Sequence, residues 1–413
     1  MKMGETGATV RLGIIGLGGR GRGQTETLLQ MPDVQVTAVC DVYEDRIELG
    51  KELVFKHKGV YPAGETDYRN VLNREDVDAV CVFTSWETHI DICCQAMRAG
   101  KKVCTEVGGA VSLDECWKLV RTYEATGIHC MLLENCCYGK EEMTLLNMVR
   151  QGLFGTLVHC EGGYEHDLRD EVGNGDINRH YRQRHFLHRN GELYPTHELG
   201  PMAKYLNINR GNRMVSLVSM ASKAVGLHEW LVKNRPDTDL VSAQVNEGDI
   251  VTTMIKCANG ETISLTHDCT LPRPYSRGGR VQGTKGIWME DNRSIYIEGR
   301  TPTDPTYWTH RWESDEEYMK EFEHPLWKEY EEFGLRGGHG GMDYLVLRGF
   351  VESVQKNEVP PIDTYDTAAW MCITALSEES IACGSMPVAI PDFTEGRWLQ
   401  PRKEQATGEY ALD

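Results

Sequence analysis

Leu12-Gly13-Ile14-Ile15-Gly16-Leu17-Gly18-Gly19-Arg20-Gly21 is a short apolar run that opens directly into a G-x-G-x-x-G turn. An apolar run of this kind forms a buried strand, and the glycines that follow form a nucleotide-phosphate cradle. Gly16 makes the tight strand-to-helix turn, Gly18 lets the backbone approach a pyrophosphate, and Gly21 allows close helix packing. The N–H groups at the start of the helix then face the anion, with Gly19 and Arg20 as phosphate contacts. A second apolar run, Val34-Gln35-Val36-Thr37-Ala38-Val39-Cys40, ends at Asp41, twenty residues beyond Gly21. An acid at that point binds the adenosine ribose hydroxyls and repels a 2′-phosphate, which favours NAD over NADP.

Working outward, strand and helix alternate. A helical stretch covers about 44–57, and the nearly continuous apolar run 77–83 suits a parallel strand buried on both faces. A helix over 89–97, a strand over 102–106, a helix over 113–125 and a strand over 129–133 follow. That alternation predicts a doubly wound parallel sheet, whose ligand lies outside the carboxyl ends of its strands. Functional candidates therefore fall at 84–89, 106–109 and 134–138. From about Lys140 the pattern changes to a helix ending near Gln151, a turn over 152–155, and alternating runs at 157–164, 249–257 and 262–266. These predict an open, mostly antiparallel sheet, with Ala258-Asn259-Gly260-Glu261 as a hairpin turn. A long polar and aromatic loop region is expected over 291–341, a helix over 344–355, and a last helix over about 366–383 that packs back on the first domain. The expected division is a cofactor-binding domain at 1–138 and a substrate-binding α/β domain at 139–413.

The 413 residues are enough for two domains with sizeable cores. A net charge of −18 without a long Lys/Arg run argues against a nucleic-acid partner. No apolar run reaches bilayer-spanning length, so no membrane partner is expected. Residues 1–10 are too short and polar for an export signal, so the chain as given reads as cytoplasmic, a leader removed upstream being the other reading. The 14 cysteines are scattered, fall inside apparent strands (Cys40, Cys81, Cys104, Cys130) and include the adjacent pairs Cys93-Cys94 and Cys136-Cys137. Reduced buried thiols are expected. There is no C-x-x-C, and the three histidines of the segment from Arg179 to His188 are not at a familiar ligand spacing, so no metal is expected.

The order of motifs resembles the Gfo/Idh/MocA oxidoreductase family, a Rossmann domain followed by an α/β domain with an open antiparallel sheet. The resemblance rests on GLGGRG (16–21), DVDAVCVFTSWETH (76–89), AMRAGKKVCTEV (96–107), QGLFGTL (151–157) and YDTAAWMCITALSEESI (365–381), which together span nearly the whole chain. In most members the fourth strand ends in Glu-Lys-Pro, and that lysine serves as the acid/base partner in hydride transfer. Here the place reads Glu106-Val107-Gly108. LLENCCYG (132–139), RNGELYPTHELGP (189–201) and LPRPYSR (271–277), with GGHGGMDY (337–344) behind them, narrow the resemblance. They look like the NAD-dependent glycoside hydrolase branch typified by α-N-acetylgalactosaminidase.

The resemblance implies a tightly bound NAD that is reduced and restored within each turnover. The sugar is oxidised at carbon 3, loses its proton at carbon 2, eliminates the aglycone, adds water and is reduced again, with no carboxylate pair of the usual kind. It implies proton transfer by His197, with Tyr194 holding sugar and nicotinamide. Because Tyr194 and His197 are three apart, a helical turn started by Pro195 would put them on one side. Tyr138 is the candidate base at carbon 2. A phenol in that role needs a nearby cation, or the oxidised nicotinamide, to favour its ionised form. Tyr164, Arg182, Pro195, Thr196 and Tyr275 are carried over as sugar contacts, and Trp86, His89, Glu106, Val107 and Asn135 as cofactor contacts. His339, between glycine pairs, either approaches the substrate or marks a tight turn. The alternative is an NAD-dependent sugar or cyclitol dehydrogenase, or a glycoside 3-dehydrogenase, that releases reduced cofactor. An open sheet face is often buried between subunits, so a homodimer or homotetramer is expected.

Overall fold

The computed structural model describes residues 7–303, 306, 310–401 and 405–412. Its first sheet is built from β1 (Val10–Ile15), β2 (Val34–Cys40), β3 (Ala63–Glu65), β4 (Ala79–Val82), β5 (Lys102–Thr105) and β6 (Cys130–Leu132). The connecting helices are α1 (Gly19–Leu29), α2 (Glu44–Lys58), α3 (Tyr68–Leu72), α4 (Trp86–Arg98) and α5 (Leu113–Thr126). All neighbours pair parallel in the order β3-β2-β1-β4-β5-β6. This is the doubly wound arrangement, and the order reverses between β1 and β4, where a crevice opens outside the carboxyl ends. Every residue of β4 and β6 is buried, as helices on both faces of a parallel sheet require. Local chemistry sets the helix ends: the Ser112 side chain accepts from the Glu115 N–H to start α5, and Gly127, at φ 69°, ends it.

The second sheet has nine strands: β7 (Leu157–Glu165), β8 (Met214–Ala221), β9 (Ile250–Cys257), β10 (Thr262–Asp268), β11 (Arg280–Gly283), β12 (Gly286–Met289), β13 (Ser294–Ile297), β14 (Glu313–Ser314) and β15 (Val388–Ala389). Their order is β14-β13-β12-β11-β7-β10-β9-β8-β15, antiparallel except for β7 and β10. On β9, Val251, Thr253, Ile255 and Cys257 are buried while Thr252, Met254 and Lys256 are exposed, so one face of that strand packs and the other is open. The hairpin between β9 and β10 turns at Gly260, whose φ of 108° suits glycine.

The chain divides into two compact units, Met1–Met143 with Glu323–Ala369 and Pro401–Asp413, and Thr144–Phe322 with Trp370–Gln400. The expected single boundary at 138–139 is therefore incomplete, because two later segments return to the first unit. The helix Thr364–Ala382 crosses the division; in its first turns Thr364 Oγ1 accepts from the Cys130 N–H and Thr367 Oγ1 donates to the Cys130 carbonyl. The region expected as a loop over 291–341 holds β13, β14 and the helices Glu316–Glu321 and Pro325–Phe333, while its residues 304–305 and 307–309 lie outside the described ones. None of the fourteen cysteines is in a disulfide; thirteen are buried and Cys383 is exposed. Among the described residues no helix is long and apolar enough to cross a membrane.

Candidate functional site

In the first unit, α1 begins at Gly19 with Gly18 as its cap residue and no side chain over its end. Its first N–H groups have no partner within the helix, which leaves a seat for an anion. Gly16 sits at φ 99°, and a Cβ there would fall 2.5 Å from the Phe83 backbone. A Cβ on Gly21 would fall 2.1 Å from the Gly16 oxygen. Around Gly19, by contrast, a Cβ would meet nothing within 4 Å, and around Gly18 only Arg46 Nη1 at 3.8 Å. The glycines that need to be small are the turn and packing ones, and the open pair borders the space a pyrophosphate fills.

At the end of β2 the buried Asp41 accepts the Leu17 N–H at 2.7 Å and the Tyr43 N–H at 3.0 Å. A carboxylate has about four acceptor sites, and with Arg46 Nη1 3.9 Å from Oδ2 it keeps acceptor capacity for a ribose diol. Phosphate seat and ribose acceptor together fit NAD. Asp41→Ala is expected to weaken NAD binding by about tenfold, the loss of one charge-assisted hydrogen bond. Titration of cofactor-stripped protein against NAD and NADP checks it; an unchanged preference would remove Asp41 from cofactor selection.

Arg20 departs from a simple phosphate contact. Its Nε donates to Glu106 Oε1 at 2.7 Å, and Nη1 and Nη2 donate to Asp343 at 2.7 and 2.9 Å, with His339 Nδ1 3.1 Å from Nη1. What α1 offers an anion at Arg20 is its backbone N–H. Glu106 also accepts from Gln24 and the Val107 N–H, and Asn135 Nδ2 donates to Asp343 at 2.8 Å. Asp343 is pushed up by burial, but His339 and Arg20 hold it far below the usual carboxylate range. His339 thus belongs to this network. Val107 is buried and offers no titratable group where the resembled family has lysine.

Three of the expected site residues are buried. Trp86 packs its ring against Gly108, where a Cβ would fall 2.3 Å from Trp86 Cδ1. His89 is fully enclosed, donates from Nε2 to the Thr84 carbonyl at 2.9 Å and is kept neutral by burial, so it holds the loop after β4 rather than a ligand. Tyr138 is also fully buried. It ends the short 3-10 turn Asn135–Tyr138, and its hydroxyl donates to the Tyr410 carbonyl at 2.6 Å, which makes it a packing residue and not the base at carbon 2.

The second unit brings the other candidates together. Pro195, at φ −71° and ψ −22°, starts the helix Thr196–Tyr205 and places Tyr194 and His197 edge to face, ring centroids 4.8 Å apart. Tyr164, near the end of β7, lies 4.4 Å from Tyr194 and 5.3 Å from His197 by ring centroid. The buried guanidinium of Arg182 is 4.9 Å from the Tyr194 ring centre and 5.6 Å from that of Tyr164. Its Nη1 donates to the Tyr164 hydroxyl at 3.5 Å and pairs with Glu171 at 3.2 Å. Burial pushes the Tyr164 phenol up, and Arg182 pulls it back. Thr196 is enclosed, and its hydroxyl has no hydrogen-bond partner among the described residues.

His166 joins this cluster although the sequence motifs do not single it out. Its Nδ1 is 3.3 Å from the Tyr164 hydroxyl, and its ring meets Tyr275 edge to face at 5.2 Å. Burial lowers its basicity and Arg182 lowers it further, so the ring is neutral. The signal that finds it is period two: Tyr164 and His166 stand two apart at a strand end and share a side. Tyr275, half exposed, rides on a loop tied down by Arg273 to Asp268 at 2.7 Å and to Glu165, and by Arg277 to Glu198 at 3.0 Å.

Residues 138–400 match the family described as glycosyl hydrolase 109, C-terminal domain, and residues 10–133 match the oxidoreductase family with an NAD-binding Rossmann fold. A glycosyl hydrolase family 109 protein of Parabacteroides distasonis is 41% identical, covering 98% of this chain and 91% of that protein. An α-N-acetylgalactosaminidase of Tannerella forsythia is 41% identical over 96% of this chain and 88% of its own. Among solved structures, levoglucosan dehydrogenase in complex with NADH and levoglucosan shares the fold at TM-score 0.69 and 18% identity, covering 93% of this chain and 100% of that one.

Proposed function

The chain belongs to glycosyl hydrolase family 109 and is an NAD-dependent glycoside hydrolase, and on that premise we propose that it cleaves α-N-acetylgalactosaminides by transient oxidation at sugar carbon 3. The observation that carries the reading is the convergence of two phenols, two imidazoles and one buried guanidinium at Tyr164, Tyr194, His166, His197 and Arg182. These groups exchange protons with hydroxyls and with a carbon acid, and they hold a developing enolate. The relative from Tannerella forsythia supplies the sugar.

Bound NAD supplies a hydride acceptor and donor for carbon 3, and is retained from one turnover to the next. His197 takes the proton from the 3-hydroxyl and later returns it, while Tyr194 orders the sugar beside it. Oxidation at carbon 3 makes the carbon 2 proton acidic. Tyr164 replaces Tyr138 as the base for that proton, because Arg182 is the cation a phenolate needs. His166, neutral and 3.3 Å from the Tyr164 hydroxyl, relays the proton. The aglycone leaves carbon 1 with a proton, water adds there and gives one up, carbon 2 is reprotonated, and return of the hydride to carbon 3 with the His197 proton to its oxygen completes the cycle. Val107, where a lysine would serve simple dehydrogenation, is in keeping with this division of labour.

Protein purified without added nicotinamide is expected to release the chromophore from an α-N-acetylgalactosaminide, to leave the β-anomer and plain galactosides slower, and to accumulate no NADH. In D2O the freed sugar is expected to carry deuterium at carbon 2. A requirement for stoichiometric NAD with build-up of NADH would replace this reading with that of a glycoside 3-dehydrogenase.

A further inference from the structure

We propose that Glu192, Glu247 and His267 act together as positioning residues that fix the turn carrying Tyr194 and His197 for proton transfer, an inference that rests on the sugar-handling role given to that turn above. None of the three is part of the aromatic cluster itself. His267 lies on β10, in register with Tyr164 on the parallel neighbour β7. Its Nδ1 is 3.1 Å from Glu247 Oε1, both side chains being closed to solvent. Glu247 Oε2 accepts the Gly191 N–H at 3.0 Å.

The next residue continues the chain of contacts. The Glu192 N–H donates to Ser377 Oγ at 2.8 Å, its carbonyl accepts from Thr374 Oγ1 at 2.7 Å, and its carboxyl accepts the Tyr194 N–H at 3.4 Å. A polar path therefore runs from the strand beside Tyr164 to the backbone of Tyr194. Its surroundings include the Phe186 ring, 5.8 Å from that of His267.

A turn that only had to be held in place would not need three ionisable side chains without water, since burying them is costly unless each is paired. Glu192 and Glu247 are both fully enclosed, and burial pushes Glu192 up to about 7, with His267 pulling it back and Glu247 pushing it further. Burial opposes protonation of His267, but Cys269 and Glu247 hold it well above its ordinary value. The cluster thus sets a buried imidazole against one carboxyl with a second carboxyl beside it, and burial pushes Glu247 up as well. A buried polar network of this kind suits a site in which an ångström of displacement costs orders of magnitude in rate.

Two readouts test this in the cofactor-loaded protein: kcat and KM for a chromogenic α-N-acetylgalactosaminide, and the ring signal of Tyr194 in 13C-tyrosine NMR spectra, assigned with Y194F. In E247Q, which keeps an acceptor for Gly191 but loses the charge, and in H267Q, kcat is expected to fall about tenfold or more with KM within about twofold. The Tyr194 signal is expected to shift in both. E192L is expected to lose more activity than E192Q, which retains an acceptor for the Tyr194 N–H. That pair decides the matter if E247Q does not fold. An unmoved Tyr194 signal, with kcat falling only as far as the melting temperature predicts, would overturn the positioning role. A parent protein that cleaves no N-acetylgalactosaminide would overturn the sugar reading instead, and the Tyr194 signal alone would then decide on the three residues.

Discussion

His197→Asn is expected to lower kcat on an α-N-acetylgalactosaminide by about 10²–10⁴-fold, the range for removing a positioned general acid–base. Asparagine keeps a hydrogen-bonding group of similar reach and loses the ability to take and return a proton. The His197 ring is buried against Tyr194 and Tyr164, at 4.8 and 5.3 Å between centroids, so the change leaves little room for water to take over. The residues proposed to cradle NAD, Gly16 to Gly21 and Asp41, belong to the other compact unit, so cofactor content is expected to stay at the parent level. With NAD bound and sugar added in one pulse, the parent is expected to show transient reduction of the cofactor by absorbance, and the variant almost none. Retention of kcat within threefold would remove His197 from the mechanism.

The parts of the fold that were legible in the sequence are those fixed by local rules. Strand–glycine–helix order, continuous apolar runs and Asp41 are short-range patterns, and they gave the parallel sheet and the cradle. The return of Glu323–Ala369 and Pro401–Asp413 to the first unit was not legible, because no local pattern says which core a helix joins. The four-residue strand β13 falls inside the stretch expected as loop for a similar reason: too few residues alternate to show a period.

At the site, Tyr194 and His197 could be placed because Pro195 sets the helical turn between them. Tyr138 and His89 were misread because a position just past a strand end faces either the crevice or the core, and only packing decides. The 3-10 turn after β6 ends at Tyr138, whose hydroxyl meets a backbone carbonyl inside, and His89 closes onto Thr84. Arg182 was legible only through the resemblance. Nothing in its basic surroundings marks it as the one whose guanidinium is drawn in against two phenol rings.

Arg182→Met is expected to lower kcat/KM by about 10²–10³-fold, and to do so in a pH-dependent way. The guanidinium is buried, faces the rings of Tyr194 and Tyr164 at 4.9 and 5.6 Å, and keeps its charge well past the ordinary range, because Tyr164 and Glu171 offset its desolvation. Each desolvated cation–ring contact contributes up to about 2 kcal/mol, so losing both is worth up to about a thousandfold when the transition state depends on them. Methionine fills much of the volume, which separates the charge from the packing. The sign of the pH effect follows from Tyr164. Its phenol is raised by burial and lowered by Arg182, so without the cation it ionises at higher pH still. A base that must be ionised works on the alkaline side of its pKa, and the rising limb of the kcat profile is therefore expected to move to higher pH in the variant. Arg182→Lys keeps a charge but not the planar fork that reaches both Tyr164 and Glu171, and is expected to fall between parent and R182M. A limb that stays in place while kcat/KM drops would assign Arg182 to sugar binding and leave the ionisation of Tyr164 to the oxidised nicotinamide.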